Sequence, residues 1–339
     1  MKRLISIAAV MFTLLAFLAA LAFWALESVN APLKVSEPAL FVVEPGSSAI
    51  AVVRKLDAEG FADTPEVIAK IWLKIDEQAR AVKAGTYQLT SEMSLLDALY
   101  LFARNDEFQF SVGLVEGFTL KQWLAVLASA PSLDHDISTT DEISGIFEGI
   151  EGAAADSYPE GLFLADTYHY TAGASVSGIL KRANQAMVNY LNTQWEMRQP
   201  GLPYDTPYDA LIMASIIEKE TAVAEERPLI AGVFVNRLQK RMRLQTDPTV
   251  IYGLGDSFDG NLTRQHLREK NPYNTYTVSG LPPTPIAMPG KPAIDAALHP
   301  SVTDALYFVS RGNGTHVFSA TLEQHNQAVN EYQRNNSSK

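Results

Sequence analysis

The sequence predicts an α+β protein in three parts: an N-terminal transmembrane helix, a small βααβ module and a larger mixed α/β domain. Three observations lead to this prediction. A long uncharged run opens the chain, a strand–helix–helix–strand order follows it, and short strands and capped amphipathic helices fill the remainder. We expect the three parts at residues 1–30, 31–105 and 106–339. A chain of 339 residues has room for two modest domains behind an anchor.

The amino-acid composition limits the kinds of ligand that the protein can bind. Hydrophobic residues make up 47% of the chain, enough for a buried core, and the formal net charge is -11. Because nucleic-acid binding requires a basic face, we predict no nucleic-acid partner. A polysaccharide, held by hydrogen bonds and stacking, is compatible with an acidic chain. The absence of cysteine excludes disulfides and thiolate metal sites and leaves the redox compartment open.

The first element is a candidate membrane anchor. Lys2 and Arg3 precede an uncharged run from Leu4 to Leu26, which at about 1.5 Å per residue exceeds a hydrocarbon core of roughly 30 Å. The positive flank should stay in the cytoplasm, and Glu27 begins the opposite side. A cleaved signal peptide is the alternative, but its apolar region is usually about 7–15 residues long. We therefore expect a single-pass protein of the cell inner membrane, with a cytoplasmic N-terminus and the remainder in the periplasm.

The second part has the pattern of a compact module. Its expected elements are a strand at Ala39–Val43, a helix at Ser47–Glu59 capped by Ser47 or Ser48, a helix at Pro65–Ala79, a turn and strand at Lys83–Leu89, and a helix at Ser94–Ala103. The strand–helix–helix–strand order resembles a LysM-like module, which in other proteins holds glycan chains. A structural spacer that lifts the next domain off the membrane is the alternative interpretation.

The third part begins again with a strand and continues with helices. The expected elements are a strand at Phe108–Val115, a helix from Leu120, a long amphipathic helix at Ser175–Met197, a further helix from Pro228 and a polar tail at Asn335–Lys339. Between them lies a helix that Thr206 can cap, with Pro207 at its first position and Asp209 where a capping-box acid stands. The next residues, Ala210–Ile217, carry no charge, so this helix is predicted to be buried on all sides.

Glu218 is the candidate general acid at the end of this helix. On helical spacing its line contains small and apolar residues: Leu211, Ala214, Ser215 and Ala222. Its carboxyl should therefore be desolvated and its pKa raised, which suits acid catalysis near neutral pH. Glu220 points elsewhere on the helix, and simple solvation is an alternative that stays open for it. Two alternatives stay open: Glu218 as an ion-paired helix-end acid, and a hydrolase in which Ser215 and Lys219 act together.

Three later segments contain candidate binding residues. An extended backbone before Pro248 would direct Gln245 and Asp247 to one side, over a groove; a simple Asp-Pro turn is the alternative. The segments Asn271–Tyr276 and Gly280–Ile286 are rich in proline, tyrosine and amides. Tyrosine faces and amide groups suit sugar rings and their hydroxyls, and a rigid surface loop is the alternative.

His316 follows the turn Gly312-Asn313-Gly314 and enters a strand. It is a candidate to bond a substrate, although a lone histidine is more often structural. The histidines lack metal-ligand spacing and no HExxH motif occurs, so we predict neither a metal site nor a cofactor.

The chain resembles the YceG-like family in five runs that occur in the family's order. They are ASIIEKE, RLQTDPTVIYG, NPYNTY, GLPPTPI and Gly-Thr-His-Val-Phe. The family's best-known members are membrane-bound endolytic lytic transglycosylases of peptidoglycan. The resemblance covers nearly the whole chain. One departure is Ala165, where the family tends to have proline before Asp-Thr-Tyr.

The resemblance implies both a reaction and a set of site residues. Glu218 would be the catalytic acid/base, and the glycan groove would be lined by Gln245, Asp247, Tyr273, Asn274, Thr275 and His316. The implied reaction cleaves the MurNAc–GlcNAc β-1,4 bond, leaves a 1,6-anhydro end, and terminates the elongation of nascent strands. Peptidoglycan glycan strands would be the substrate and peptidoglycan synthases the protein partners. The alternative is a membrane-anchored scaffold of the cell-wall machinery that binds glycan without cleaving it.

Overall fold

The computed structural model describes residues 2–143, 147, 149–154 and 158–334, so the tail predicted at Asn335–Lys339 lies outside the described residues. The architecture is mixed α/β with an N-terminal apolar helix, as the sequence predicts. The chain divides into two compact units. One comprises Met1–Phe110 and His169–Gly173, and the other Ser111–Tyr168 and Ala174–Lys339.

Helix α1 (Lys2–Asn30) is the apolar helix at the start of the first unit. Its segment Ile7–Asn30 is long and apolar enough to cross a membrane, with a mean hydropathy of 2.4, and its most apolar 18-residue window is not buried against the rest of the chain. Large apolar side chains such as Phe12 and Phe17 are exposed. A surface of this kind is stable in hydrocarbon, so α1 is consistent with a single-pass membrane anchor.

The remainder of the first unit is a small α/β core. Its elements are β1 (Ala39–Val43), α2 (Ala49–Ala58), α3 (Glu66–Ile75), α4 (Glu77–Arg80), β2 (Gly85–Leu89) and α5 (Leu95–Arg104). Strands β1 and β2 are antiparallel, with Ala39 opposite Leu89. The Phe102 ring lies 5.6 Å from that of Phe41 and 4.8 Å from that of Tyr87, which makes these rings the centre of the core. Ser48 is the N-cap of α2.

The single helix predicted at Pro65–Ala79 is wrong, because the chain breaks at Asp76. This residue has φ -107° and ψ 99°, and its carboxylate accepts a hydrogen bond from the Ala79 N–H at 2.9 Å. The hydroxyl of Tyr100 donates to its other oxygen at 2.7 Å. An aspartate that bonds its neighbouring backbone competes with the helix, so α3 ends here and α4 starts.

The remaining elements follow along the chain and belong mainly to the second unit. They are β3 (Phe110–Leu114), α6 (Leu120–Ala128), β4 (Asp166–Tyr170), α7 (Val176–Glu196), α8 (Pro207–Glu220), α9 (Arg227–Gln239), α10 (Asp247–Leu254), α11 (Lys291–Leu298), β5 (Tyr307–Ser310), β6 (His316–Ser319) and α12 (Leu322–Val329). Strand β3 pairs with β4. Strands β5 and β6 form an antiparallel hairpin in which Ser310 is opposite His316.

Helix α8 is the core of the second unit, as predicted. Thr206 and Asp209 form the expected capping box: the Asp209 N–H donates to the Thr206 hydroxyl at 3.2 Å, and the Thr206 N–H donates to the Asp209 carboxylate at 2.9 Å. The residues from Ala210 to Ile217 are all buried, and α7, α9, α10 and α11 pack around the helix. The helix ends at Glu220 because Thr221 is extended. Ala222 therefore does not share a helical line with Glu218, which corrects that part of the prediction.

This arrangement argues against the alternative in which Ser215 and Lys219 act together as a hydrolase. The hydroxyl of Ser215 is fully buried; it donates to the Ile212 carbonyl at 2.7 Å and accepts from the Ile286 N–H at 3.0 Å. Lys219 instead donates to the carbonyl of Gly117 at 3.0 Å. A buried and doubly bonded hydroxyl is not available as a nucleophile.

Candidate active site

The end of α8 carries two carboxylic acids that point to opposite sides. Glu218 and Glu220 are two residues apart, which corresponds to about 200° around a helix with 3.6 residues per turn. Because the helix is surrounded by other elements, both carboxyls enter the protein interior. Their surroundings differ, and these differences determine what each can do.

Glu218 is enclosed by backbone and a cation. Its side chain is 5% exposed, one oxygen accepts from the Gly290 N–H at 2.9 Å, and the other lies 3.5 Å from the Arg227 guanidinium. Burial raises the pKa of Glu218, and nearby Glu116 raises it further, whereas the Gly290 N–H and Arg227 oppose the rise. These contacts connect the end of α8 to the first residue of α9 and to Gly290, the N-cap of α11.

Glu220 lies in a cavity of about 460 Å³ on the other side of the helix. The polar lining of this cavity, hereafter the groove, includes Glu220, Arg237, Gln245, Thr246, Asp247, Tyr276 and His316. The Thr246 hydroxyl donates to the Glu220 carboxyl. Burial is the main cause that raises the pKa of Glu220 to about 7, with Asp247 adding to the rise and Thr246, His316 and Arg237 opposing it. The alternative in which Glu220 is simply solvated is therefore wrong.

Gln245 and Asp247 both line the groove, but not through the extended backbone that the sequence predicted. Gln245 has φ 51°, in the left-handed region, and Asp247 begins α10. The Gln245 N–H donates to the Thr275 carbonyl at 3.2 Å. The Tyr276 hydroxyl donates to the Asp247 carboxylate at 2.6 Å, which fixes that carboxylate at the groove wall.

The residues Asn274 and Thr275 lie behind the groove wall, and each is only 1% exposed. The Asn274 amide donates to two backbone carbonyls, of His266 at 3.1 Å and of Glu269 at 2.7 Å. The Thr275 hydroxyl accepts from the Thr246 N–H at 3.1 Å. These bonds support the segment that carries Tyr276, so both residues have a supporting position rather than the groove-lining position predicted.

Tyr273 is likewise outside the lining of the groove. Its hydroxyl is 2.9 Å from that of Thr284, and its ring packs edge-on against Tyr252 with centroids 5.0 Å apart. The structure therefore brings together Gln245, Asp247 and His316 of the predicted residues, and places Glu218, Tyr273, Asn274 and Thr275 elsewhere.

His316 is oriented by a buried carboxylate that sequence reasoning missed. Its Nδ1 lies 2.7 Å from one oxygen of Glu226, and its backbone N–H donates to the other oxygen at 2.8 Å. The ring of Phe308 packs perpendicular to the imidazole at 5.4 Å. With Nδ1–H donated to Glu226, Nε2 is the nitrogen left for the groove. Glu226 sits in a short turn before α9 among other acids, and no spacing in the sequence links it to His316.

The arrangement is that of an acid–base site: a desolvated carboxyl that titrates near neutral pH, beside a polar cavity with oriented hydrogen-bonding groups. Within the described ranges no group of three or more histidine and acidic side chains has the geometry of a metal site, and the absence of a metal stays a prediction.

Comparison with known proteins identifies the family. Residues 41–331 match the YceG-like family. The chain is 34% identical over 272 residues to an endolytic murein transglycosylase of Bacillus subtilis, covering 75% of this chain and 74% of that protein. A protein of the same name from Streptococcus pneumoniae is 28% identical over 285 residues, and the matched region spans 51% of its length. This chain therefore belongs to the YceG-like family, which confirms the resemblance.

A solved structure has the same fold. The crystal structure of a yceG-like protein from Listeria monocytogenes aligns with a TM-score of 0.53 and 28% sequence identity. The alignment covers 86% of this chain and 99% of that one.

Proposed function

We propose that this protein is an endolytic peptidoglycan lytic transglycosylase, which cleaves the MurNAc–GlcNAc β-1,4 bond within glycan strands. One observation carries the proposal: Glu220, with a pKa of about 7, lies in a polar groove. An acid half-protonated near neutral pH can both give and take a proton, which is what lytic cleavage requires of one group. The proposal also draws on the relatives, which are named endolytic murein transglycosylases.

The reaction balances with a single carboxyl group. Protonated Glu220 donates its proton to O4 of the leaving GlcNAc as the bond from C1 of MurNAc breaks. The resulting carboxylate then accepts the proton of the MurNAc 6-hydroxyl while O6 bonds to C1. One bond breaks, one forms, no water is consumed and Glu220 regains its proton. The product is a 1,6-anhydroMurNAc end, whereas a hydrolase of the common type uses two carboxyls and a water molecule.

Glu220 is our assignment of the acid in place of Glu218, the residue that the sequence favoured. Glu218 does not line the groove, and both of its oxygens are engaged, one by the Gly290 N–H and the other by Arg227. Glu220 faces the groove and accepts a bond from the neutral hydroxyl of Thr246. Glu218 is better suited to positioning, because it connects α8 to the starts of α9 and α11.

The other groove residues suit a glycan. Asp247 and Gln245 offer a carboxylate and an amide to sugar hydroxyls and N-acetyl groups, and Tyr276 fixes Asp247 in place. Nε2 of His316 is available for a further bond, since Glu226 engages Nδ1. Hydrogen-bonding side chains on a preformed wall can orient the sugar rings of a glycan, which are themselves neutral.

For the chain as a whole we propose the following organisation. Residues 1–30 anchor it in the cell inner membrane with a cytoplasmic N-terminus, 31–105 form a LysM-like module that binds glycan, and 106–339 form a periplasmic catalytic domain. The apolar α1 and the order β1, α2, α3, α4 and β2, in which α3 and α4 take the place of the second predicted helix, support this organisation. Cleavage of nascent strands would end their elongation and bring the protein close to peptidoglycan synthases.

The test is mass spectrometry of glycan strands after incubation with the full-length protein. Anhydro ends that disappear in the Glu220→Gln variant are expected. Reducing ends would instead identify a hydrolase, and unchanged strands a glycan-binding scaffold. The scaffold is not favoured, because the relatives are named as enzymes. A protein that only binds glycan also does not need a buried acid with a raised pKa.

Protease treatment of spheroplasts tests the topology. Added protease should degrade the chain beyond Glu27, because the module and the catalytic domain are proposed to lie in the periplasm. Protection of that part, or a mature N-terminus near Ala25, would contradict the proposed anchor.

A further inference from the structure

A second cavity, of about 590 Å³, opens on the surface of the second unit. Its lining is dominated by three cationic side chains, which are Arg243, Arg268 and Lys270. The other lining residues are Asn271, Pro272, Thr277 and Val278. We call this the basic cavity. It does not belong to the groove, since the two share no lining residue.

The charge of the basic cavity is opposite to that of the chain. The protein has a formal net charge of -11, yet three cations converge here. All three residues are exposed, and among the described residues none of them has a carboxylate partner within 4.0 Å. Cations that converge without acidic partners leave a positive field that an anionic ligand can use.

One segment connects the basic cavity to the groove. The Arg243 guanidinium donates to the Tyr276 carbonyl at 3.0 Å, while the Tyr276 hydroxyl donates to Asp247 inside the groove at 2.6 Å. Arg243 also lies two residues before Gln245, which lines the groove. The two cavities are therefore connected through Tyr276, whose backbone carbonyl accepts a bond from Arg243 of the basic cavity and whose hydroxyl bonds Asp247 in the groove.

The ligand follows from the chemistry of the proposed substrate. The sugar rings of murein are neutral, and the carboxylates are carried by the peptide stems attached to MurNAc. The groove itself contains Glu220 and Asp247, which repel carboxylates. Arginine binds a carboxylate through two parallel hydrogen bonds, and lysine adds a flexible point charge. We propose that the basic cavity is a subsite for a carboxylate of the peptide stem; this rests on the proposed function.

The experiment compares stem-bearing strands with the same strands after an amidase has removed their stems, which leaves a carboxylate only on the lactyl group of MurNAc and none at the position of the stem. For the full-length double variant Arg268→Gln/Lys270→Gln we expect KM on stem-bearing strands to rise about fivefold to tenfold, the size that the loss of two exposed ion pairs predicts. The kcat value should hardly change, and neither parameter should change on denuded strands. Lys240→Gln, at an exposed cation outside both cavities, is the matched control and should behave as the wild type.

Several outcomes would overturn the subsite. The first is an unchanged KM on stem-bearing strands, and the second is an equal rise of KM on denuded strands. The third is a defect confined to denuded strands that end in a lipid-linked pyrophosphate, which would make the pyrophosphate the ligand. Failure of the proposed function is distinguishable, because wild-type protein would then leave no anhydro ends on either substrate. Equilibrium binding to soluble strands still tests the cavity in that case: the double variant should bind stem-bearing strands more weakly and denuded strands equally well.

Discussion

Replacing Glu220 by glutamine separates the two acids of α8. Glutamine keeps the size of the side chain and can still accept a bond from the Thr246 hydroxyl, but it has no proton to transfer. The matched control is Glu218→Gln, which has the same chemistry at a carboxyl that faces Gly290 and Arg227. Both substitutions make the same chemical change, two residues apart on the same helix.

The expected rate loss follows from the number of proton transfers. A general acid–base group typically contributes about 10²–10⁴-fold, and Glu220 serves both steps, so Glu220→Gln should lie at or beyond the upper end. Because the first step needs the protonated acid, wild-type activity should fall as the pH rises through about 7, the pKa of Glu220. Glu218→Gln should retain more activity, with a loss caused by displaced neighbours.

Glu220→Gln should lower the activity but raise the stability of the folded protein at alkaline pH. The pKa of Glu220 is raised from 4.5 in the free group to about 7, so its contribution to stability is fully present below about pH 4.5 and is lost as the pH rises through 7. At 1.36 kcal/mol per unit of pKa the shift corresponds to at most about 3 kcal/mol. Glutamine does not ionise, so Glu220→Gln should gain up to this amount at alkaline pH relative to acidic pH, compared with the wild type.

The assay combines the yield of anhydro-muropeptides with thermal midpoints across the pH range. Full activity in Glu220→Gln, or a greater loss in Glu218→Gln, would refute the assignment of the acid. A thermal midpoint for Glu220→Gln that follows the wild type at every pH would refute the argument that its carboxyl is desolvated.

Three further predictions follow from other features. Glu226→Gln should lower kcat by about 10²-fold, the cost of a misplaced group, because His316 loses the carboxylate that orients it; an unchanged kcat would count against this role. Burial raises the pKa of Glu160 to about 7, so the wild-type thermal midpoint should fall from about pH 5 to about pH 8, and it should fall less in Glu160→Gln, where the bond from Tyr252 can persist. Deleting Pro32–Asn105 should weaken binding to intact sacculi more than turnover of short soluble strands; an equal loss of both would make the module part of the active site.

The elements that the sequence predicted well are specified by neighbours in the chain. The start of α8 depends on Thr206, Pro207 and Asp209, which lie within one helical turn, and the structure has the expected capping box. The start of α2 at Ser48 is local in the same way. The break at Asp76 was missed because part of its cause is distant: Tyr100, in α5, bonds the carboxylate that caps α4.

The groove depends on contacts that no local pattern contains. Glu220 meets Thr246, which is 26 residues away, and Glu226 meets His316, which is 90 residues away. Gln245 was expected in an extended segment and lies in the left-handed region instead, yet it lines the groove. Motif order identified the family and most of the segments involved, whereas the position of each side chain required the fold.

The sequence does not distinguish which of Glu218 and Glu220 faces the groove, because α8 is buried on all sides. An amphipathic helix reveals its inner face through its apolar stripe, but α8 is buried from Ala210 to Ile217 and has no such stripe. Burial raises the pKa of both carboxyls, so desolvation alone does not separate them either. Their partners do: a guanidinium and a backbone N–H occupy Glu218, whereas a hydroxyl and an open cavity face Glu220. A raised pKa identifies a carboxyl that is able to exchange a proton, and access to the groove decides which of the two reaches a substrate.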